Sequence, residues 1–366
     1  MPIAILYRDE LNEYDFGPGH PFRGDRYNMF IEFLKEHVAE HDNYRIIESK
    51  LASDEDLLFI CTQDYIDRVQ EFYKAAHVGL IDTNRIRGYL SGDNIPYRGP
   101  GEIEKAARVI IGQAKLACSL IQENKFQKAV SIGGGMHHAK PSFGEGFCIY
   151  NDVAFCGKYL IEHYKLERVL ILDTDAHAGN GTMEFFYEEP RVLLIDLHQD
   201  PNMLYPGTGF AQQIGAGKGK GFTVNVPMPE GAGYDSYQFV FESIVEPLVQ
   251  QFKPQIIVRN GGSDPHYDDH LTQLGLPLEG FRMIGEKVRA LAKICDGKVI
   301  DLIASGYNKD VLPYAWLELI SGLAGFKYVS DAPEECYPQI AHDSAYDETK
   351  EVIEEVKNNL KDYWKL

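Results

Sequence analysis

The sequence predicts an α/β protein: a mostly parallel, multi-stranded sheet flanked by helices on both faces. Three observations carry this. Apolar runs of strand length alternate with longer segments of helical periodicity along most of the chain, which is the rhythm of β-α-β units. The runs are almost wholly apolar, as in Val169-Leu170-Ile171-Leu172 and Ile256-Ile257-Val258, and that suits strands covered on both faces. The clusters of Gly, His and Asp lie just after such runs, where ligands bind in open α/β sheets.

The elements follow in order. Residues 2–7 form a short apolar run and the first expected strand. A polar loop over 14–21 carries the glycines and prolines of irregular backbone. Helical periodicity covers about 27–40 and 54–76, and a Gly- and Pro-rich loop spans 91–101. A helix over about 102–123 then feeds a strand at 128–132. Further strands are expected at 168–173, 191–197, 221–226, 255–260 and 298–304, with helices at 151–165, 235–251, 280–294 and 312–324, and a short one from about 182 to 187. The stretch 215–221 reads GAGKGKG but lacks the spacing of a phosphate loop, so it is expected to be a flexible connection. In the last segment, 347–364, Val352, Val356, Leu360 and Trp364 recur every four residues. This predicts a C-terminal helix packed on the domain, with a subunit contact in a homo-oligomer as the alternative. No linker, low-complexity run or internal repeat interrupts the chain, so residues 1–366 read as a single domain.

Composition narrows the function classes. A 366-residue chain that is 44% hydrophobic and 12% aromatic can bury a large core. A formal charge of −19 argues against a nucleic-acid partner and suits a cationic substrate. No apolar run reaches membrane-spanning length, and no leader pattern opens the chain. The six cysteines show no CxxC spacing, which fits reduced thiols in a cytoplasmic protein.

The chemistry gathers in five stretches. Asp173-Thr174-Asp175-Ala176-His177 closes one apolar run, and alternation along a strand end leans Asp173, Asp175 and His177 the same way. Two buried carboxylates beside an imidazole need a counter-charge, and a divalent cation provides one. Gly133-Gly134-Gly135-Met136-His137-His138 delivers two adjacent imidazoles on a close-approaching backbone, a pattern suited to proton transfer. Gly146-Phe147-Cys148 places an aromatic where it walls a pocket or simply fills core. Asn260-Gly261-Gly262-Ser263-Asp264 supplies a third candidate ligand in Asp264, with His266, Asp268 and Asp269 as rivals that spacing does not separate. Ser305-Gly306-Tyr307 brings a phenol to a strand end.

Together, from His20-Pro21 to about Trp316, these stretches resemble the zinc-dependent histone deacetylase superfamily, which also holds acetylpolyamine amidohydrolases and acetoin-utilisation-type proteins. Tyr205-Pro206-Gly207-Thr208-Gly209 and the stretch 217–226 extend the match. The resemblance implies an arginase/deacetylase-like fold and a hydrolase removing an acyl group from an acylated lysine, polyamine or other small amine. It implies Zn2+ held by Asp175, His177 and Asp264, three ligands with a position left open; Fe2+ or Co2+ would also suit this comparatively hard set. His138 would move the proton, His137 would assist with its ring oriented by Asp173, and Tyr307 would bind the oxyanion. A structural K+ or Na+ would sit among Asp173, Asp175, His177, Asp196 and Leu197. Phe147 and Tyr205 would wall the acyl channel with Leu271 near its mouth, and Arg26 would line a product cavity.

The chain departs from the family pattern at several points. Ala178 replaces a second histidine, and Asn180 stands where many members place an Asp beside His138. Ala304-Ser305-Gly306 replaces a glycine run and should stiffen the tyrosine loop. The segment 93–99 has no Asp after its proline to grip a peptide backbone, with Asp93 as the available substitute. His20, His198 and His266 are expected to be structural, and Asp268-Asp269 to be a solvated rim or a hydrogen-bond partner. A two-metal ureohydrolase would need an Asp where Gly179 stands, and a non-catalytic acyl-ligand binder would not need every chemical position filled.

Overall fold

The computed structural model describes residues 2–333, 336 and 343–366. Its strands are β1 (Ile3–Leu6), β2 (Tyr44–Ile47), β3 (Lys128–Ile132), β4 (Val169–Asp173), β5 (Val192–Gln199), β6 (Thr223–Met228), β7 (Ile256–Gly261) and β8 (Val299–Ile303). Its helices are α1 (Asp25–His37), α2 (Asp54–Leu57), α3 (Gln63–His77), α4 (Ile103–Gln122), α5 (Asp152–Glu162), α6 (Asn180–Phe186), α7 (Tyr234–Val240), α8 (Glu246–Phe252), α9 (Leu278–Leu291), α10 (Leu312–Ala324) and α11 (Tyr346–Leu360).

The strands form one open sheet in the order β2-β1-β3-β8-β7-β4-β5-β6, and every pairing is parallel. The fold class is therefore the expected one, with helices packed against the sheet. Strands β3, β4, β5, β7 and β8 are buried along nearly their whole length, which is why their sequences read as continuous apolar runs. Because the chain inserts β7 and β8 between β3 and β4, five neighbouring strands end at the same edge. Register pairing sets Asp173 opposite both Asp196 and Asn260 there. Deeper in the sheet, Arg259 and Asp301 pair in register and form a buried ion pair.

Three local differences from the expected elements have physical reasons. Strand β2 carries no strong sequence signal, because it is a four-residue edge strand whose side chains after Tyr44 are only half-buried. The expected helix over 54–76 is two helices. Ser53 caps α2 in a capping box with Asp56, and Thr62 caps α3 by accepting from the Tyr65 amide at 3.4 Å, so the second cap restarts the chain. The helix over 235–251 contains a wider turn at Phe241–Val245, just before Pro247, whose missing N–H and ring a helix interior accommodates by such a local distortion. The 215–221 stretch is a tight turn with Gly219 buried against Glu188.

Helix α11 buries Ile353, Val356 and Leu360 within the chain, and the Trp364 indole donates to the Gly221 carbonyl at 2.6 Å. Each such aliphatic side chain contributes about 1.5–3 kcal/mol. Among the described residues no helix is long and apolar enough to cross a membrane.

Candidate active site

The loops after β3, β4, β7 and β8 converge on one pocket at the sheet edge. After β4 the backbone turns so that the Asp175 amide donates to Asp173 Oδ1 at 3.1 Å and the His177 amide donates to Asp175 Oδ1 at 2.8 Å. His177 Nδ1 lies 3.1 Å from Asp175 Oδ1 and 3.0 Å from Asp264 Oδ2, and the three residues offer ligand atoms within 4.8 Å of one another. All three are buried. Of the four candidates on the 264–269 loop, Asp264 is the one that joins the cluster. His266 Nδ1 accepts from the Asp268 amide, Asp268 accepts from Asn308 at 3.0 Å, and Asp269 Oδ2 accepts from the Tyr307 amide at 2.7 Å.

The donor set fits a divalent cation. Burial and the nearby Asp175 charge push the Asp264 carboxyl up to about 8. Burial lowers His177, but its hydrogen bonds to Asp175 and Asp264 outweigh this and raise it to about 10. Asp264 and His177 therefore hold protons that a cation would displace as the counter-charge, while Asp175, despite its burial, is held well below the usual carboxylate range by the His137 and His177 charges. The sequence did not reveal what orients Asp264: the Ser305 hydroxyl donates to its Oδ1 at 2.7 Å, leaving Oδ2 to face His177. Ser305 itself is held through its carbonyl by the Trp316 indole at 3.0 Å and the Ser263 amide at 2.9 Å. Ser305 therefore links the tyrosine loop to Asp264 and to the loop after β7.

The histidine pair is pinned from below. The Asp152 carboxylate accepts from the Gly135 and Met136 amides, at 2.9 and 2.7 Å, and Asn151 Nδ2 donates to the His137 carbonyl at 3.1 Å. Gly135 has φ +130°, and a Cβ there would meet Asn260 Oδ1 at 2.5 Å, so this turn requires glycine. His137 Nδ1 donates to Asp173 Oδ2 at 2.8 Å, and Asn260 donates to both Asp173 oxygens. Burial lowers His137, yet the charges of Asp173 and Asp175 raise it to about 9. His138 moves the other way: burial, then the neighbouring His137 and His177, hold it well below the ordinary imidazole value. The two rings face each other with Nε2 atoms 3.1 Å apart, and His138 Nδ1 lies 2.8 Å from Asn180 Oδ1. Environments that push two like groups apart in this way separate a charged partner from a neutral base.

Aromatic rings surround this centre. Tyr307 lies 6.4 Å from the His177 ring, Phe147 lies 6.0 Å from Tyr307, and Tyr205 lies 5.1 Å from His138. Phe147 has φ +64°, a strained state for a bulky residue that aims its ring beside the pocket. Burial drives the Tyr307 phenol well above its usual range, so it stays a donor. Arg26 is buried, donates to the Ala304, Gly306 and Pro21 carbonyls, and stacks over Phe22 at 4.2 Å. Leu271 is half-buried on the loop that holds Tyr307, its amide bound to Asp269 at 2.9 Å. The pocket lined by His137, His138, Asp175, His177 and Tyr307 leaves about 20 Å³, space for roughly one water molecule. A larger groove of about 380 Å³ lies between Tyr73, His77 and Glu104 on α3 and α4.

The neighbouring residues are accounted for. Asp196 accepts from the Gly179 amide and from His198, both at 2.8 Å, and His198 also bonds the Gly209 carbonyl. Burial raises the Asp196 carboxyl and the Asp173 charge adds to this. Leu197 beside it is fully buried. His20 accepts from the Phe22 amide, bonds the Asp93 carbonyl, and stacks on Phe16. Asp93 is committed inward: Oδ2 accepts from the Gly146 amide at 3.0 Å and Oδ1 from Ser91.

Residues 20–323 match the model of the histone deacetylase domain. The chain belongs to the histone deacetylase family. It is 36% identical over 372 residues to a probable deacetylase of Archaeoglobus fulgidus, covering 100% of this chain and 99% of the relative. It is 36% identical over 326 residues to the acetoin utilization protein AcuC of Staphylococcus xylosus, covering 88% and 82%, and 35% identical over 324 residues to an AcuC of Staphylococcus aureus, covering 87% and 81%. Within this histone deacetylase domain Ala178 is buried where the Gly209 turn closes on it, with the site of a Gly209 Cβ only 2.8 Å away. A histidine at 178 would need that turn to move. Asn180 is not isolated beside His138, because Glu145, absent from the sequence motifs, accepts from its Nδ2 at 2.9 Å.

Proposed function

We propose that the protein is a metal-dependent deacetylase that hydrolyses the amide of an N-acylated amine, with an acetyl group as the expected acyl. The observation that carries this reading is the convergence of Asp175, His177 and Asp264 with His138 and Tyr307 around one buried pocket. The family and the relative named a probable deacetylase support the acetyl group.

A divalent cation held by Asp175, His177 and Asp264, read here as Zn2+ with Fe2+ or Co2+ as alternatives, would supply Lewis acidity to the amide carbonyl and acidify the attacking water. His138, neutral and unprotonated at Nε2, takes the proton from that water and returns it to the leaving amine. His137 is held by Asp173 and stays positively charged, so it offsets developing negative charge without needing to move a proton. The Tyr307 hydroxyl donates to the oxyanion, a contact worth about 3 kcal/mol in comparable sites. Phe147 and Tyr205 flank the acyl chain with Leu271 nearer the rim, and Arg26 lines the space below. A K+ or Na+ near Asp173, Asp196 and the backbone of Asp175, His177 and Leu197 belongs to the same reading. It is supported by two buried carboxylates facing each other in register.

Two observations favour a small cationic amine, such as an acylated polyamine, as a second substrate reading beside acetyl-lysine. The chain carries a formal charge of −19, and Asp93 spends both oxygens on Gly146 and Ser91 rather than facing a peptide. A two-metal ureohydrolase is disfavoured because Gly179 offers its amide to Asp196 and has no side chain to ligate. A reduced, cytoplasmic setting fits the buried thiols of Cys61, Cys118, Cys148, Cys156 and Cys295. A side-by-side assay of acetyl-lysine peptides, acetylpolyamines and longer acyl chains with zinc-loaded protein tests the proposal. Hydrolysis of at least one acetylated amine is expected, and inactivity on all of them would overturn it.

A further inference from the structure

His138 has an amide, not a carboxylate, beside its Nδ1, and an amide presents two different ends. Its oxygen accepts and its nitrogen donates, so an asparagine that turns over asks the neighbouring ring for the opposite tautomer. An aspartate would accept through either oxygen and would need no fixing. In this chain Asn180 Nδ2 faces Glu145 Oε1 at 2.9 Å, and the same oxygen is paired with Lys140 Nζ at 2.9 Å. An ionised carboxylate only accepts, so the amide nitrogen must point to Glu145 and the amide oxygen to His138. That oxygen lies 2.8 Å from Nδ1, which places the ring proton on Nδ1. The lone pair of Nε2 then faces the pocket and the Nε2–H of the charged His137, 3.1 Å away, which favours the same tautomer.

We propose that Glu145 is a positioning residue for the proton-transfer histidine: by fixing the carboxamide of Asn180 it holds the ring proton of His138 on Nδ1, acting on that nitrogen while His137 acts on the other. Glu145 and Asn180 lie 35 residues apart, and the glutamate sits next to Gly146, whose φ of +58° lets the backbone pass against the His138 ring. The chain thus combines a neutral partner at the ring with an acidic residue one step further out. This rests on the reading of His138 as the proton carrier, so the test includes a measurement that does not depend on turnover.

The experiment is nitrogen NMR of zinc-loaded protein with 15N-labelled histidine, the His138 signals being assigned by their loss in H138Q. It is run on wild type, E145A, E145Q and N180D/E145A, together with the kcat and KM of each and of N180D. Wild type should show a protonated Nδ1 and an unprotonated Nε2. In E145A the Nε2-protonated form should gain population, and kcat should fall about tenfold, the size of loss usual for residues that orient a catalytic group. E145Q should keep the wild-type tautomer and most of the turnover, because Lys140 holds its amide oxygen where the carboxylate was. In the N180D background, removing Glu145 should not lower kcat, since the new carboxylate needs no fixing and loses a like-charged neighbour. An unchanged tautomer in E145A would overturn the proposal, as would a loss of kcat on removing Glu145 that is equal with and without N180D. A switched tautomer with undiminished turnover would support the role of Glu145 while rejecting His138 as the proton carrier.

Discussion

Replacing Ser305 by alanine should weaken metal binding about five- to tenfold without unfolding the site. The Ser305 hydroxyl donates to Asp264 Oδ1 at 2.7 Å, in a place where Asp264 is fully buried. A hydrogen bond to a charged group contributes about 1.5–3 kcal/mol, and one between neutral groups about 0.5–1.5. Burial and Asp175 hold the Asp264 carboxyl up at about 8, so near neutral pH it is mostly protonated before a cation binds and ionised afterwards. The bond is therefore worth about 1–1.5 kcal/mol more in the loaded state, and 1.4 kcal/mol corresponds to tenfold in affinity. The backbone of residue 305 remains held by Trp316 and Ser263, so loop collapse should not add to the loss. Zinc affinity measured by chelator competition checks the value, with a thermal melt of the metal-free proteins as the control for folding. An affinity unchanged within about threefold would refute the claim that Ser305 orients the ligand.

Three further outcomes are expected. His138→Ala and Tyr307→Phe should each lower kcat by about two orders of magnitude while metal content stays at the wild-type level, as elemental analysis and steady-state kinetics would show. Gly146→Ala should cut activity, because φ is +58° there and a Cβ would lie 2.3 Å from the His138 ring; retained metal with a shifted His138 signal separates this from global unfolding. The acid limb of the pH–rate profile should fall below the ordinary imidazole value of 6.5. Burial and the two neighbouring imidazoles depress His138, and a base with a lowered pKa stays unprotonated to lower pH. An acid limb above 6.5 would contradict that environment.

The strand-end clusters were legible in the sequence because they are local. Asp173, Asp175 and His177 sit two residues apart on one strand end, and the glycines before His137 mark a backbone turn that no other residue fills. What was not legible depends on distant pairing. Choosing Asp264 over His266, Asp268 and Asp269 requires knowing where His177 points across a separation of 87 residues. Ser305 and Glu145 find their partners 41 and 35 residues away, and nothing in their immediate neighbours announces it. The fold divides in the same way. Long apolar runs revealed the inner strands, while the short edge strand β2 and the second cap at Thr62 carried too little periodicity to separate from their surroundings.

The central claim is that three side chains from two loops hold one catalytic cation. The most direct measurement is the metal content and acetyl-amide hydrolysis of purified wild type and Asp264→Ala, before and after chelator treatment and zinc addition. The account predicts one divalent ion per wild-type chain, activity that is lost on chelation and returns with zinc, and neither metal nor activity in the variant. Full hydrolysis by the metal-stripped chain, or two ions per chain, would contradict it.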